Sequence, residues 1–429
     1  MRAGSAVARA VELQEISSVA GNGSSEPRPG RDVRVSIDLD VEKNLDRAIE
    51  LINDTGELNF TKTPLKKTPQ KARKKLQKIL GGINTQAGLI RVADNDRDYG
   101  YCGFFLTRSK HDRARLMQFC FSPEIRDMGV EHWLYSRLGR PEIEISDGVS
   151  SDLSKPINLH GIRFEEDAQA PHVARRALLC GRCSVAGLMQ YFRMDSYDVV
   201  GEFENFRDSI VIRRDHSLML RYAIEGVAPA QMGIFRELGF HEADFVTSFS
   251  DTSIEPAVRV LGNWADSQNM LWRHKETGLL VPFKLKRSKA EKKNKAANGD
   301  LPEAAHRAQT YLRENFEWVG RLPDEEAARN FDVILDALPK GSPLFVIAAP
   351  ERRPEGEEEA LSANAVQLNR RTMAAAERHP DKLLIPISLV DLADADERHS
   401  QRHFHRRVYH RLYQRIQTRL KELIPTAVN

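Results

Sequence analysis

The chain has 429 residues, 41% hydrophobic and 29% charged, a composition that buries a sizeable core and excludes a disordered or collagen-like chain. At about 100–200 residues per domain it is too long for one ordinary core, so at least two domains are expected and a single small binding module is excluded. Lysine and arginine number 64 against 61 aspartates and glutamates, a net charge of +3, so any basic surface must be local.

No stretch approaches the roughly 20 apolar residues of a membrane helix. The opening segment carries Glu12 and Glu15 and no apolar run of signal-peptide length. Four cysteines make no disulfide framework, and together these features point to a cytoplasmic protein with no membrane partner.

Residues 1–33 read as a flexible leader, because 18–33 is rich in Gly, Ser and Pro. A first domain is expected over 34–165. In it, LDRAIELI (45–52) has helical spacing, and the following KTPLKKTPQKARKKLQKIL holds eight Lys/Arg and no acid between Lys62 and Lys78. That run reads either as a contact for phosphate on a nucleic acid, coenzyme or carrier arm, or as a solvated basic face, and the second is preferred. AGLIRVADND and YGYCGFFLTR predict a hairpin, ARLMQFCFSP a third strand, and EIRDMGVEHWLYSRLG a helix stopped by Gly139 and Pro141.

A second domain is expected over 166–429. RRALLCGRC, AVRVLGNWAD, SPLFVIAAP and KLLIPISLVDL read as buried strands, SVAGLMQYF as a helix, and RRVYHRLYQRIQTRLKELI as an amphipathic helix with Val408, Leu412, Ile416 and Leu420 four apart. Strands separated by helices argue for a parallel α/β sheet. The basic stretch 284–300 reads as a mobile insertion and 351–359 as an acidic loop.

Chemistry is concentrated in three places. In FSPEIRDMGVE (121–131) a strand runs into a helix N-terminus, whose unpaired N–H groups suit a phosphate. Arg126 would add a charged contact there, and Gly129 a close backbone approach. In LLCGRCSVAGLMQYF (178–192), Cys180 and Cys183 have redox-pair spacing, but nothing else resembles a thioredoxin-like unit, and Cys180 also suits a small apolar strand residue. Zinc would need two more ligands, and no metal site is expected. In DERHSQRHFHRRVYHRLYQRI (396–416), His399 and His403 are four apart, but their arginine-rich surroundings oppose a cation, so a general base is favoured over a metal ligand; surface histidines on a basic helix remain the alternative. Asp215-His216 reads as an orienting pair or a polar turn, the turn preferred, and Trp264, Trp272 and Trp318 as core or pocket walls.

Two resemblances extend this reading. DRAIELINDTGELNF, RVADNDRDYGYCGFFL and CFSPEIRDMGVEHWLYSRLGRPEIEI resemble, in order, the acetyltransferase-like half of the FkbH-like proteins, which load glyceryl units in polyketide pathways. The resemblance implies a GNAT-like α+β domain with Ser122, Arg126, Gly129 and Glu131 on its phosphate-binding turn, holding coenzyme A or a phosphopantetheine-linked acyl group. The family's phosphatase domain has no expected counterpart, and Ser122, Pro123 and Glu124 stand where the family has Ser-Cys-Arg.

Residues 170–425 are similar to SGNH-type hydrolases, which implies a three-layer α/β domain with a parallel sheet. Cys183 falls on the nucleophile's place with Ser184 beside it, in a turn that includes Gly181 and Arg182. Gly262-Asn263 resembles the block that helps form the oxyanion hole. For the base two registers compete: Asp396 with His399 keeps the Asp-x-x-His spacing, whereas His403 better matches the run into the terminal helix and is preferred.

The function expected is a bacterial biosynthetic enzyme of secondary-metabolite or surface-glycan formation, acting on an acyl or carboxyl-derived small molecule with a carrier protein or another biosynthetic subunit as partner. Both motifs depart from their families at reactive positions. A second reading is therefore a repurposed enzyme without acyl transfer, or a substrate-binding partner subunit. Nucleic-acid binding through the basic runs is a third, opposed by the lack of aromatic interleaving.

Overall fold

The computed structural model describes residues 32–423 apart from 66–67, 83, 111–112, 156, 158, 160, 166–175, 252, 254–256, 286–300, 352–358, 395–396 and 401–402. The expected leader apart from Asp32 and Val33, most of the basic insertion and acidic loop, and Asp396 therefore lie outside the described residues. Two five-stranded sheets, one mixed and one wholly parallel, make this an α/β protein. No helix among the described residues is long and apolar enough to cross a membrane.

The first sheet is built from β1 (Val33–Asp38), β2 (Thr85–Ala93), β3 (Asp98–Lys110), β4 (Arg113–Phe121) and β5 (Ile162–Phe164). Their order is β4-β3-β2-β1-β5, antiparallel except for the parallel β1–β5 pair. Both faces are covered. Helices α1 (Leu45–Asp54) and α2 (Pro69–Leu80) pack with Ala87, Leu89, Phe104 and Leu106 on one face. Helix α3 (Val130–Arg137) packs with Ile90, Val92, Phe105, Phe119 and Phe121 on the other. Alternate side chains thus go to opposite faces and all are apolar, which explains runs such as CGFFL. In α2, Ala72, Leu76 and Leu80 are buried while Lys71, Lys74, Lys75 and Lys78 stay exposed, as a solvated basic face requires.

The second sheet follows the expected strands and adds one. It opens with β6 (Arg176–Gly181), α4 (Cys183–Ala186), α5 (Met189–Met194) and β7 (Asp198–Phe203). A hairpin, β8 (Asn205–Arg207) and β9 (Ile210–Ile212), leads to α6 (Ser217–Glu225), α7 (Pro229–Glu237) and β10 (Ala257–Leu261). Next come β11 (Leu271–His274), β12 (Leu280–Pro282), α8 (Glu303–Asn315), β13 (Phe316–Gly320) and α9 (Asp324–Asp336). The chain continues through β14 (Leu344–Ala348), α10 (Glu359–Arg378), β15 (Leu384–Ser388), a hairpin of β16 (Arg398–Ser400) and β17 (His403–Phe404), and α11 (Arg406–Leu423).

The parallel sheet has the order β15-β14-β10-β6-β7. Its first strand therefore has the second on one side and the third, fourth and fifth on the other. This is a doubly wound order whose switch point lies between β6 and β10, and ligand crevices in such sheets open outside the strands' C-terminal ends there. A separate antiparallel sheet, β12-β11-β13, shares an apolar cluster with α6, α7 and α8.

The segment SVAGLMQYF forms two short helices, α4 and α5, in place of one. The break holds Gly187, whose Cβ, were one added, would sit 3.0 Å from the Tyr409 ring of α11. A side chain there would force the Tyr409 ring to shift by a few tenths of an ångström.

The two sheets meet across a fixed seam. Met194, at the end of α5, belongs to the first sheet's core, and Gln86 Nε2 donates to its Sδ at 2.8 Å. Arg406, 1% exposed at the start of α11, donates to the Leu39 and Ala87 carbonyls at 2.8 and 3.4 Å and pairs with Glu42. Nearby, His410 stacks on Tyr191 with ring centroids 5.3 Å apart.

Arg406→Ala would leave Glu42 and two carbonyls facing the seam without their donor, an expected loss of about 3–5 kcal/mol in urea unfolding. Burial, reinforced by Arg406, pushes the His410 imidazole down to about 4. The unfolded chain takes up that proton first, near pH 6.5, so stability is intact above this and falls as pH drops toward 4, by up to about 1.4 kcal/mol per pH unit. In His410→Gln the urea midpoint should vary less with pH over that range.

Candidate functional site

Two glycines bring the C-terminal ends of β6 and β10 together. The Gly262 amide donates to the Cys180 carbonyl at 2.8 Å, and a Cβ on Gly181 would lie 2.5 Å from Val185 Cγ2 and 3.5 Å from the Gly262 nitrogen. Cys183 and Ser184 open α4 immediately beyond this contact. Cys180 is buried within β6, its Sγ donating to the Arg214 carbonyl at 3.3 Å, and burial raises its thiol well above the ordinary range. Its environment is that of a packed strand residue, with no feature of an activated thiol.

A buried polar cluster wraps the same strand ends. The turn Arg213–His216, between β9 and α6, lies against Cys180, and Asn263 to Asp266 follow β10. Arg213 holds Asp215 in a two-pronged ion pair at 2.7 and 2.6 Å and Glu204 at 3.0 Å, and Glu204 also pairs with Arg182 at 3.0 Å. Asp266 Oδ1 accepts the Ser217 amide at 2.9 Å and lies 3.2 Å from His216 Nδ1; its Oδ2 accepts from Asn263 Nδ2 at 3.2 Å. Asn330 donates to Ser217 Oγ at 2.8 Å. Burial pushes the His216 imidazole below its ordinary range, against the pull of Asp266, which keeps it neutral at pH 7. Its Nε2 is buried with no hydrogen-bond partner among the described residues.

In comparisons with known proteins, no family model matches the chain. No curated protein and no solved structure matches it either.

The residues expected from the sequence fall in two places. Gly181, Arg182, Gly262 and Asn263 come together at the C-terminal ends of β6 and β10, with the turn of Cys183 and Ser184. His403 is on β17 and His399 on β16, the strands of one hairpin. Phe404, next to His403, packs in the same core cluster as Val185 and Trp264, so this hairpin leans on the layer beneath the crevice. The other four expected residues lie beside the first sheet, after β4 and at the start of α3. Ser122 Oγ accepts from the Glu124 amide at 3.4 Å. Arg126 pairs with Glu57 at 2.7 Å in a contact where both side chains are exposed. Gly129 has the left-handed φ of 74° ahead of α3, and a Cβ there would lie 2.8 Å from Ile157 Cδ1. Glu131 is buried. Burial would raise its carboxyl, but hydrogen bonds from His132, its own amide and Ser151 outweigh that and hold it below the usual range. A carboxylate thus occupies the first turn of α3, where the helix dipole favours an anion.

The sequence reading treats Asp215-His216 as a polar turn. The turn is there, but both residues are fully buried. Arg213, Asp215, His216 and Asp266 are the site residues that periodicity does not find. The available signal is local: four polar residues in IVIRRDHS between an apolar strand and a helix, and an Asp three residues after Asn263.

The difference between the two arginines is measurable. Arg213→Met would strand the buried Asp215, while Glu204 keeps Arg182, and is expected to cost about 3–5 kcal/mol. Arg126→Ala removes an exposed pair and should change the urea-derived stability by less than about 1 kcal/mol.

Proposed function

We propose that the protein is a biosynthetic enzyme acting on an acyl or carboxyl-derived substrate in the crevice between β6 and β10, with Cys183 or Ser184 as nucleophile. The observation that carries this reading is the meeting of Gly181 and Gly262 at the switch point, with the Cys183–Ser184 turn, Asn263 and a histidine–carboxylate pair gathered around it. A strand-to-helix turn suits a nucleophile, and backbone amides beside a side-chain amide suit a developing oxyanion. Gly181 and Asn263 are the proposed oxyanion stabilisers, with Arg182 beside them. The base is a histidine, for which the sequence offers His403 and, second, His399.

On this reading the second domain is SGNH-like and the first is acetyltransferase-like, the latter contributing Ser122, Arg126, Gly129 and Glu131 near a coenzyme A or phosphopantetheine group. The substrate is presented by a carrier protein. The exposed lysines of α2 support this, since acidic carriers and pantetheine phosphate are drawn to such a face.

p-Nitrophenyl acetate and a pantetheine thioester test the reading. Replacing both Cys183 and Ser184 with Ala should bring turnover to the buffer rate, and Asn263→Ala should lower kcat about 100-fold. Unchanged turnover in the double variant would remove the nucleophile assignment and favour a partner subunit that binds substrate without acyl chemistry.

A further inference from the structure

The start of α3 holds a histidine set between two acceptors. His132 Nε2 lies 2.9 Å from the Asp152 carbonyl oxygen, and its Nδ1 lies 3.4 Å from Glu131 Oε1. A carbonyl and a carboxylate both accept and neither donates, whereas a neutral imidazole carries a single N–H. With its proton on Nε2 the ring turns a lone pair toward the Glu131 carboxylate. With the proton on Nδ1 it leaves the carbonyl without a donor. Only the imidazolium serves both. The two acceptors also tie one segment to the helix. Ser151 Oγ donates to Glu131 Oε1 at 2.9 Å, and the Ser150 amide donates to the carbonyl of Glu57, the partner of Arg126, at 3.0 Å. Leu153 is buried in the apolar cluster that contains Val130, Trp133 and Leu134. Residues 150–155 therefore reach the proposed ligand turn twice, at Glu131 and, through Glu57, at Arg126.

We propose that residues 150–155 are a pH-sensitive strap over this turn, fastened while His132 is an imidazolium and loosened when it gives its Nδ1 proton to water. The inference rests on the reading of the turn as a ligand site and adds its regulation. The charged groups facing the ring are Glu131 and Asp152, and both favour the imidazolium; the Asp152 carboxylate is itself engaged by the Ser154 amide and hydroxyl at 3.0 and 2.6 Å. Burial opposes the charged ring, but the contacts with Glu131 and the Asp152 carbonyl outweigh it and raise its titration above the ordinary value of about 6.5. Glu131 is held below its ordinary range. The raised histidine contributes in full below about pH 6.5 and its contribution is lost as pH rises through the folded value, whereas that of the lowered carboxylate is present above about 4.3 and is lost as pH falls. The strap is therefore tightest between about pH 5 and 6.5.

Hydrogen–deuterium exchange of the full chain, read on a peptic peptide that covers residues 150–155 and corrected for the intrinsic exchange rate, follows the strap. Protection should fall as pH rises above about 6.5, by up to about tenfold per pH unit until His132 is neutral. His132→Gln keeps a donor for the Asp152 carbonyl but no charge, and should flatten that dependence. Glu131→Gln keeps an acceptor for Ser151, should flatten it likewise, and serves if His132→Gln does not fold. Ser151→Ala should lower protection at every pH and leave the slope as it is. The strap is overturned if wild-type protection does not change between about pH 6 and 9, or if both glutamine variants keep the wild-type slope. Coenzyme A binding at about pH 6, measured by calorimetry, should be tighter in His132→Gln than in the wild-type chain, and equal affinities would overturn the strap's role as a cover. Failure of the ligand reading is separate: it shows as no coenzyme A binding by either chain at any pH while the exchange still titrates.

Discussion

Buried charge is the constraint around which this molecule is organised. Among the largest fully buried side chains are three arginines, Arg213, Arg259 and Arg406. A guanidinium removed from water must find acceptors for its five donors, and those acceptors have to come from whatever chain lies nearby. Arg213 gathers Glu204, Asp215 and Gln268 at the C-terminal end of the parallel sheet. Arg259, inside β10, reaches the Phe249 and Asp251 carbonyls and Ser342 Oγ. Arg406 closes the seam between the sheets. Each arginine joins segments that apolar contact alone would leave free to slide.

The last helix shows the constraint most sharply. Arg406 and Arg407 stand in its first turn, where the macrodipole disfavours positive charge, and that turn holds no acid of its own. The compensation arrives from outside. Glu42, just after β1 of the first sheet, takes Arg406, while Glu397, only 1% exposed, takes Arg407 at 3.1 Å and also Arg411. The Glu397 carbonyl in turn accepts the His405 amide at 2.7 Å. The segment before the hairpin of His399 and His403 is therefore tied to the helix that follows it.

The apolar framework was largely legible in the sequence. Four of the five parallel strands stand out as short runs of Leu, Val and Ile, because a strand covered on both faces needs no alternation. The α2 helix was read only as a basic run, although its apolar residues recur at four-residue intervals within it. β7 was not: DVVGEF is an edge strand with mixed burial and carries a buried Glu202. β1 was hidden behind the leader, and its alternating VRVSID is short. Trp318, expected as a wall, is 62% exposed on the outer strand of the small sheet. The crevice was half legible. Its glycines mark strand ends and can be read from order alone, whereas Arg213, Asp215, His216 and Asp266 look like surface residues until the fold pairs them. Burial of charge depends on long-range partners, and no local window contains those.

The partnership between Arg406 and Glu42 also bears on how the molecule comes into being. The two residues are 364 positions apart, so a chain emerging from the ribosome presents Glu42 and the Leu39 and Ala87 carbonyls long before their guanidinium exists. The first sheet can pair its strands in that interval, since all five lie within residues 33–164. Its seam surface stays wet until Arg406 has been made. At about 5–20 residues per second these 364 positions leave roughly 18–73 s of exposure, set by translation speed and independent of folding rate.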